Sequence, residues 1–414
     1  MKMIKFAGIS LLAMAAAIAS VAAESALNVR VIWSQNPQSK AVVVWDGETV
    51  LDGSVLLYDT VSRADGDRDY SFKARVSEAG LYQEGPGQKP KEPAPDWAPP
   101  PPSPDYFYHQ APLTKLTPST VYYLAVKTAE GISREYHFRS APQEGETFKL
   151  IYAGDSRTHV DMARQINEQI SGMIETDETI AGLLHGGDYA VTTRRDVWVQ
   201  WLEAYALTTT EDGKLLPIIP VIGNHDVGGD SPIFRQAYGY PGGTKDYYTC
   251  QLTPSIGIVC LNTEISAEGN QRKFLQKALT RLKKDQVKWQ IAAFHRPAYP
   301  GVKKPSVAKV SWVPLFEEFN IDLVLESDGH CIKRTVPIRG DKEAADGIVY
   351  LGEGGYGAPQ RDPELERWYL QGDNAFASKG DHVMMLEFTP DTVNYSAILN
   401  TGEVVDSASF TAHR

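Results

Sequence analysis

Short runs of alternating apolar and polar residues fill the first third of the chain. In "ALNVRVIW", Leu27, Val29, Val31 and Trp33 lie on one face of an extended strand. "AVVVW" and "SVLLY" follow at short intervals, and short strands at this spacing are typical of a β-sandwich. The pattern predicts an all-β domain over residues 24–143.

A candidate tyrosine corner lies near the end of this region. In "LTPSTVYYLAVK", a turn that contains Pro118 leads into a strand that begins near Tyr122, as in immunoglobulin-like sandwiches. With "SREYHFRSAP" as its last strand, the region resembles a fibronectin type III domain. The prolines of residues 85–105 predict a stiff surface excursion within it, and a proline-rich ligand for a partner is the alternative.

From residue 147 onward, apolar strands alternate with amphipathic helices. "FKLIYA" reads as a buried strand, and "MARQINEQISGMI" places Met162, Ile166, Ile170 and Met173 at helical spacing. Five more apolar runs of strand length follow. Among them lie two further amphipathic segments, "RRDVWVQWLEAY" and "NQRKFLQKALTRLKKD". Because buried strands that alternate with helices are typical of α/β proteins, residues 147–414 are expected to form an α/β domain.

The first 23 residues have the pattern of a secretory signal peptide. Lys2 and Lys5 precede a short apolar run, and the small residues Val21 and Ala23 precede a predicted cut. The apolar run is shorter than a membrane span, and no later run approaches that length. We therefore expect export, to the periplasm or to the medium.

The charge balance is acidic, with a formal net charge of −11. Removal of the predicted signal peptide, which carries two lysines and no acidic residue, would change the net charge to −13. A nucleic-acid-binding surface needs an excess of basic residues, so none is expected.

Polar residues follow five of the predicted strands, each directly after the strand ends. Ligands of open α/β sheets gather beyond the carboxyl ends of their strands, so these side chains are expected at one edge. Oxygen and imidazole ligands without thiolates suit Zn, Mn or Fe, and two metal ions could share a bridging carboxylate. Taken singly, most strand-end residues of these types are structural rather than ligating, and only the combination indicates a metal site. The candidates are Asp155, Asp188, Asn224, His295, Asp328 and His330.

The order and spacing of these blocks resemble the calcineurin-like metallophosphoesterases, and in particular the purple acid phosphatase branch, which also carries a fibronectin-like domain in front. "GGDY", "GNHD" and "AFHRPAY" carry the resemblance. It implies an αββα sandwich with mixed sheets and two metal ions. One metal ion would be held by Asp155, Asp188 and His330. The other would be held by Asp188, Asn224, His295 and Asp328.

The resemblance also implies roles for neighbouring residues. His225 would contact the phosphate or protonate the leaving oxygen, with Asp226 orienting its ring. Arg157 would bind a phosphate oxygen. Three further residues are candidates for lining the pocket: His159, Arg296 and Tyr299.

Three positions depart from the family's pattern. Val191 stands where the purple enzymes have a tyrosine, so a purple ferric centre is not expected. Arg157 stands where other members have a histidine, and one metal ion would thus have only three protein ligands. Asp328 replaces a histidine, which shifts the preference of the other site towards harder ions such as Mn, Mg or Ca.

The expected activity is hydrolysis of phosphate monoesters by a hydroxide that two metal ions activate. A phosphodiesterase and a catalytically impaired binding module of the cell envelope are the alternatives, because the fold alone does not fix the choice. The expected partner is a phosphorylated small molecule or macromolecule, and the sequence does not give the oligomeric state.

Two of the three cysteines flank a predicted hairpin. A turn near residues 254–255 would set Cys250 and Cys260 opposite each other, either as a disulfide or as two free thiols. Cys331, beside His330, is expected to be a packed thiol rather than a metal ligand.

Overall fold

The computed structural model describes residues 26–50, 53–65, 68–85, 105–227, 232–239 and 246–413. The predicted signal peptide and nearly all of the proline-rich segment 85–105 lie outside these residues. Within the described ranges, every helix is too short or too polar to cross a membrane.

The N-terminal region is a sandwich of two antiparallel sheets. Strands β1, β2, β6 and β5 form one layer, and strands β4, β3, β7 and β8 form the other. The amide of Thr117 donates to the hydroxyl of Tyr122 at 2.8 Å, which confirms the tyrosine corner. The strand bounds are β1 Leu27–Ile32, β2 Lys40–Gly47, β3 Val55–Asp59, β4 Phe72–Arg75, β5 Glu78–Leu81, β6 Phe107–Thr114, β7 Val121–Lys127 and β8 Tyr136–Arg139.

The second region alternates strands with helices and then ends in antiparallel strands. Its helices are α1 Val160–Thr176, α2 Arg195–Tyr205, α3 Ile233–Tyr238, α4 Asn270–Lys284, α5 Ala308–Ser311 and α6 Val313–Phe319. Its strands are β9 Phe148–Ala153, β10 Ile180–His185, β11 Ile218–Pro220, β12 Tyr248–Thr253, β13 Ile256–Cys260, β14 Trp289–Phe294, β15 Leu323–Glu326, β16 Ile332–Arg334, β17 Ile338–Arg339, β18 Lys342–Glu343, β19 Val349–Gly352, β20 Phe376–Ser378, β21 His382–Phe388, β22 Thr392–Leu399 and β23 Val404–Thr411.

Two mixed sheets face each other in this second region. One has the order β23-β22-β21-β9-β10-β11 and the other has the order β12-β13-β14-β15-β19-β16-β20. Apolar residues of both sheets form one core, in which helices α1 and α2 cover the outer face of the first sheet. Helices α4 and α6 cover the outer face of the second sheet with a separate core. The αββα architecture that the resemblance implied is thus confirmed.

The first sheet continues into the N-terminal sandwich. Strand β1 pairs in parallel with β11, with Ile32 opposite Ile218. Gly182 leaves room for the ring of Trp33, because a Cβ there would come within 3.1 Å of the ring. The buried Arg30 donates to the carbonyl of Ala237 in α3 at 2.8 Å. The two regions therefore share one continuous hydrophobic core.

The cysteines of the predicted hairpin lie two residues out of register. Strands β12 and β13 pair in an antiparallel hairpin, but Cys250 lies opposite Ile258, and Cys260 lies opposite Tyr248. Both thiols are free and buried, as is that of Cys331. Of the two alternatives for Cys250 and Cys260, the structure thus has the free thiols.

Candidate metal centre

The carboxyl ends of β9, β10, β11, β14 and β15 meet at one edge of the two packed sheets. Strands β9, β10 and β11 are parallel to one another, and so are β14 and β15, so all five end at this edge. The backbone amide of Asp328, after β15, donates to Oδ2 of Asp155, after β9, at 2.9 Å. This hydrogen bond joins the two sheets directly at the site.

Four buried side chains form a compact cluster of ligand atoms at this edge. Asp155, Asp188, His295 and Asp328 each offer one ligand atom, and these four atoms lie within 4.8 Å of one another. Ligands on opposite sides of an ion at about 2.0–2.4 Å would be separated by roughly 4–4.8 Å. The cluster therefore has the dimensions of a site for one metal ion.

The two histidines of the site are fixed by backbone carbonyls. Nδ1 of His295 lies 2.9 Å from the carbonyl oxygen of Gly186, and Nδ1 of His330 lies 3.0 Å from that of Pro359. Because a carbonyl oxygen only accepts, each Nδ1 carries a proton, and in the neutral ring Nε2 keeps its lone pair. Both histidines thus direct a ligand atom into the site, as second partners commonly arrange in metal centres.

Oδ1 of Asp155 is buried and makes no hydrogen bond to any described residue. Nε2 of His330 lies 3.1 Å from this oxygen, but the contact lacks hydrogen-bond geometry. A buried carboxylate oxygen without a partner is costly, and a cation would compensate it. The residues therefore fit the metal ion that the fold family implies.

Electrostatics at the site favour ionised carboxylates. Burial would lower the pKa of His295, but Asp188 and Asp155 beside it raise that pKa well above its ordinary value. Burial would raise the pKa of Asp188, yet His295 and His225 lower it well below the usual range. His295 and Lys303 likewise outweigh burial at Asp328 and lower its pKa. The cluster is thus a negatively charged site that attracts a cation.

Two cationic side chains reach into the cluster. Nε of Arg157 donates to Oδ2 of Asp188 at 3.0 Å, and its Nη2 lies 3.3 Å from Nε2 of His330. Nζ of Lys303 contacts Oδ1 of Asp328 in a short ion pair. Arg157 is expected to face a phosphate oxygen, and three of its nitrogens also contact the protein, the third at Thr158.

The ligand loops adopt backbone conformations that are rare for residues with a side chain. Asp155, Asp188, Asp328 and His330 all have φ between 60° and 67°. Left-handed backbone at ordinary residues is concentrated at functional sites, where the surrounding structure holds the strain. Gly354 makes this packing feasible, since a Cβ there would lie 1.9 Å from Oδ2 of Asp155.

The "GNHD" block is split between two tasks. Oδ1 of Asn224 lies 3.2 Å from Nε2 of His295, at the site. The ring of His225 is oriented by the carbonyl oxygen of Val191, 2.6 Å from Nδ1, and not by Asp226 as expected. Asp226 accepts instead from the amides of Asp188, Tyr189 and Gly223, at 2.7–3.0 Å. The reason is that its carboxylate points back into the loops and satisfies their buried amides.

The three pocket candidates have different outcomes. Nε of Arg296 is paired with Glu264 at 2.7 Å. His159 is exposed at the start of α1. The expectation for Tyr299 is wrong, because its ring is buried in the core of the second sheet's outer face against Tyr350. The hydrophobic effect favours burial of a large ring in a nearby core. The sequence alone did not show that a core lies next to Tyr299.

Tyr189 follows Asp188 in sequence but faces away from the site. It is fully buried, its ring stacks on His185 with centroids 3.9 Å apart, and its hydroxyl donates to the carbonyl of His185 at 3.3 Å. Burial raises the pKa of this hydroxyl well above its ordinary value. The residue therefore does not replace the tyrosine that is missing at Val191.

Sequence reasoning missed two basic residues at the site. Lys303 lies in the loop after β14, and Nη1 of Arg361 donates to the carbonyl oxygen of Asp328 at 3.3 Å. Neither residue follows a strand directly, so no pattern of periodicity pointed to them. The glycines of "GEGGYGAP" were the available signal, since they bring this loop against Asp155. Further along the loop, the amide of Arg361 donates to the carbonyl of His330 at 2.8 Å.

Comparisons with known proteins agree with this geometry. Residues 154–331 match the family model described as calcineurin-like phosphoesterase, and residues 26–140 match the model described as purple acid phosphatase, N-terminal domain. The chain carries a calcineurin-like phosphoesterase domain. The two matched segments are thus similar to the N-terminal domain of purple acid phosphatases and to a phosphoesterase domain, in this order along the chain.

Solved structures show the same fold at low sequence identity. A purple acid phosphatase, PPD1, from yellow lupin (Lupinus luteus) seeds is 16% identical with a TM-score of 0.72, and covers 94% of this chain and 74% of its own. PhoD is 11% identical with a TM-score of 0.63, covering 95% of this chain and 90% of its own. Uncharacterized proteins from two strains of Mycobacterium tuberculosis are 24% identical over 277 residues, which is 56% of this chain. The match spans about half the length of these curated relatives, at 51%.

Proposed function

We propose that the chain is an exported, metal-dependent hydrolase of phosphate monoesters. The observation that carries the proposal is the buried cluster of Asp155, Asp188, His295 and Asp328, with four ligand atoms within 4.8 Å. It stands at the strand ends of a calcineurin-like phosphoesterase domain. Export is inferred from the predicted signal peptide in residues 1–23.

The ligand residues would hold divalent metal with oxygen and nitrogen atoms, and Asn224 beside His295 would add an amide oxygen. Bound metal would lower the pKa of a water molecule and neutralise phosphate oxygens. The cluster's own task is to fix the ligand atoms before substrate arrives. The carbonyl behind His295 and the amide on Asp155 serve this purpose.

His225 is the proposed proton donor to the leaving oxygen. Its Nδ1 faces the carbonyl of Val191, so that nitrogen keeps its proton and Nε2 is the atom that can exchange one. Nε2 lies 3.9 Å from Oδ2 of Asp188, and the side chain is 23% exposed. It therefore lies at the open side of the ligand cluster, where a leaving group would meet solvent.

Basic side chains around the cluster support a monoester with a doubly charged phosphate. Arg157 has five N–H groups, and three of its nitrogens already bind the protein. Two N–H groups remain to face a phosphate oxygen. Lys303 and Arg361 add positive charge on the Asp328 side. A diester carries one negative charge less, so these cations together with bound metal would favour the monoester.

The decisive experiment is a hydrolysis assay on the purified mature chain. p-Nitrophenyl phosphate and bis-p-nitrophenyl phosphate would be offered after chelation, and again after addition of Zn, Mn, Mg or Fe. Hydrolysis should fall on chelation and return with one metal, with the monoester preferred. A preference for the diester would show that the chain is a phosphodiesterase that uses the same metal site.

A variant pair separates catalysis from folding in this assay. His225→Asn should lower monoester hydrolysis by roughly 10²–10⁴-fold, as expected for loss of a general acid. His137→Asn, on the N-terminal sandwich, should leave hydrolysis unchanged, because its ring contacts the exposed Asp212. If no metal restores hydrolysis of either ester, the proposal fails and the binding module of the cell envelope takes its place.

A further inference from the structure

The guanidinium of Arg157 lies between two groups that the family resemblance assigns to the same metal ion. Its Nε is 3.0 Å from Oδ2 of Asp188, and its Nη2 is 3.3 Å from Nε2 of His330. The side chain is only 12% exposed. A lone pair that accepts from a guanidinium is not available to a metal ion at the same time.

The local backbone holds Arg157 in this position. Nη1 donates to Oγ1 of Thr158 at 3.0 Å. Thr158 has φ of 80°, a conformation that is a genuine outlier for a β-branched residue. The amide of His159 is tied to the carbonyl of Gly357 at 3.0 Å, which fixes the loop from the other side. The strained loop thus sets the direction of the guanidinium.

The four-residue cluster is complete without His330, the histidine that Arg157 contacts. His330 lies outside the set of Asp155, Asp188, His295 and Asp328, whose atoms fall within 4.8 Å of one another. That set has the dimensions of one ion. We propose that Arg157 replaces one of the two metal ions of the family, so that each chain binds a single metal ion. This inference deepens the proposed function and rests on its metal site.

The charges of the site agree with one metal ion. Asp155, Asp188 and Asp328 bring three negative charges, and Arg157 and Lys303 offset two of them. One divalent ion then leaves a small positive excess, suited to a phosphate. A second divalent ion would lie against the guanidinium at close range, where repulsion between like charges in a buried site is strong.

The test is the metal content of the folded chain. Wild type and Arg157→His would be loaded with excess Mn²⁺, passed through a desalting column and measured by elemental mass spectrometry. Histidine supplies a ligand atom where the arginine supplies a positive charge, so the variant should bind one ion more than wild type. Arg157→Lys keeps the charge without a ligand atom at that position, and should bind the same number as wild type.

A matched control and a second readout protect the result. Arg281→His, on the exposed face of α4, should match wild type because its side chain is 82% exposed. Electron paramagnetic resonance of wild type should show the six-line signal of an isolated Mn²⁺ ion. In Arg157→His this signal should be lost, because two neighbouring Mn²⁺ ions couple magnetically. Circular dichroism checks the fold, and Arg157→Asn supplies an oxygen ligand if the histidine variant does not fold.

The outcomes of the two proposals differ. Equal metal content in wild type and in a folded Arg157→His or Arg157→Asn would overturn the single-ion inference, and so would two ions in wild type. A wild type without bound metal would instead overturn the proposed metal-dependent function. In that case a gain of one ion in the histidine variant would still support the replacement by Arg157.

Discussion

The backbone amide of Asp328 donates to Oδ2 of Asp155 at 2.9 Å and so joins the ends of two strands from different sheets. Each residue therefore depends on the packing of the other sheet for its position. The second oxygen of the Asp155 carboxylate has no hydrogen bond from any described residue, and Asp328 completes the cluster opposite His295. The site exists only when both sheets have assembled.

Replacement of Asp328 tests its place in the cluster. Asp328→Ala removes one of four ligand atoms and should weaken Mn²⁺ binding by at least about 100-fold, since even partners behind the ligands contribute 10–100-fold. Asp328→His restores the family's residue, and should retain binding with a shift from Mn²⁺ towards Zn²⁺. Competition titrations measure both. Asp391→Ala, whose side chain is 91% exposed, is the control, and wild-type affinity in Asp328→Ala would remove Asp328 from the ligand set.

Substitution of Gly354 by alanine tests whether this glycine is needed for the position of Asp155, with Gly372→Ala as a control of similar backbone strain. An alanine Cβ at Gly354 would lie 1.9 Å from Oδ2 of Asp155, at φ of 72°. Gly372 has φ of 88°, and no atom of the described residues lies within 4 Å of the added Cβ. Both alanine variants carry a conformational cost of about 1–2 kcal/mol. Only Gly354→Ala should also lose metal affinity, by roughly tenfold or more, in the same titration. Equal affinities in the two variants would mean that the glycine is not needed for the position of Asp155.

An iron-loaded sample tests the absence of a tyrosinate ligand. Tyr189 donates its hydroxyl to the carbonyl of His185 in a buried aromatic cluster, away from the ligand atoms. The protein loaded with Fe³⁺ should therefore lack the visible charge-transfer band of a purple centre. Absorption spectroscopy measures it, with Tyr189→Phe as the comparison. A band in wild type that Tyr189→Phe abolishes would show that this tyrosine reaches the metal after all.

Arg30 stabilises the junction of the two regions. Its guanidinium is buried against Asp46, at 3.2 and 3.3 Å, and against the hydroxyl of Tyr82, at 2.6 Å. Arg30→Met leaves the Asp46 carboxylate buried without a cation, so unfolding free energy should fall by about 3–5 kcal/mol. Urea denaturation of the variant gives this value. Arg281→Met on exposed α4 should change it by less than about 0.5 kcal/mol, and a similarly small change at Arg30 would contradict the assigned role.

Most of the architecture could be predicted from hydrophobic periodicity. The pattern of "FKLIYA" became β9, "MARQINEQISGMI" became most of α1, and "NQRKFLQKALTRLKKD" became α4. Burial on both faces makes such strands continuous apolar runs, and burial on one face gives a helix its 3.6-residue spacing. These signals are local, so a single sequence contains them. The pairing register of a hairpin is not contained in such a local pattern. The predicted pairing of Cys250 with Cys260 did not occur, because Cys250 lies opposite Ile258.

The sequence by itself determined that polar residues follow five buried strands, and therefore that they meet at one edge. Only the tertiary structure decided what each side chain does there. Arg157 meets Asp188 and His330, which lie 31 and 173 residues away in the chain, and Asp226 turns to the amides of neighbouring loops. The ring of Tyr299 packs in the core on the outer face of the second sheet and not at the site. The physical reason is that a strand's local pattern fixes where its end lies. The partner of a charged or aromatic side chain, in contrast, depends on groups that only the packing of distant segments brings within reach.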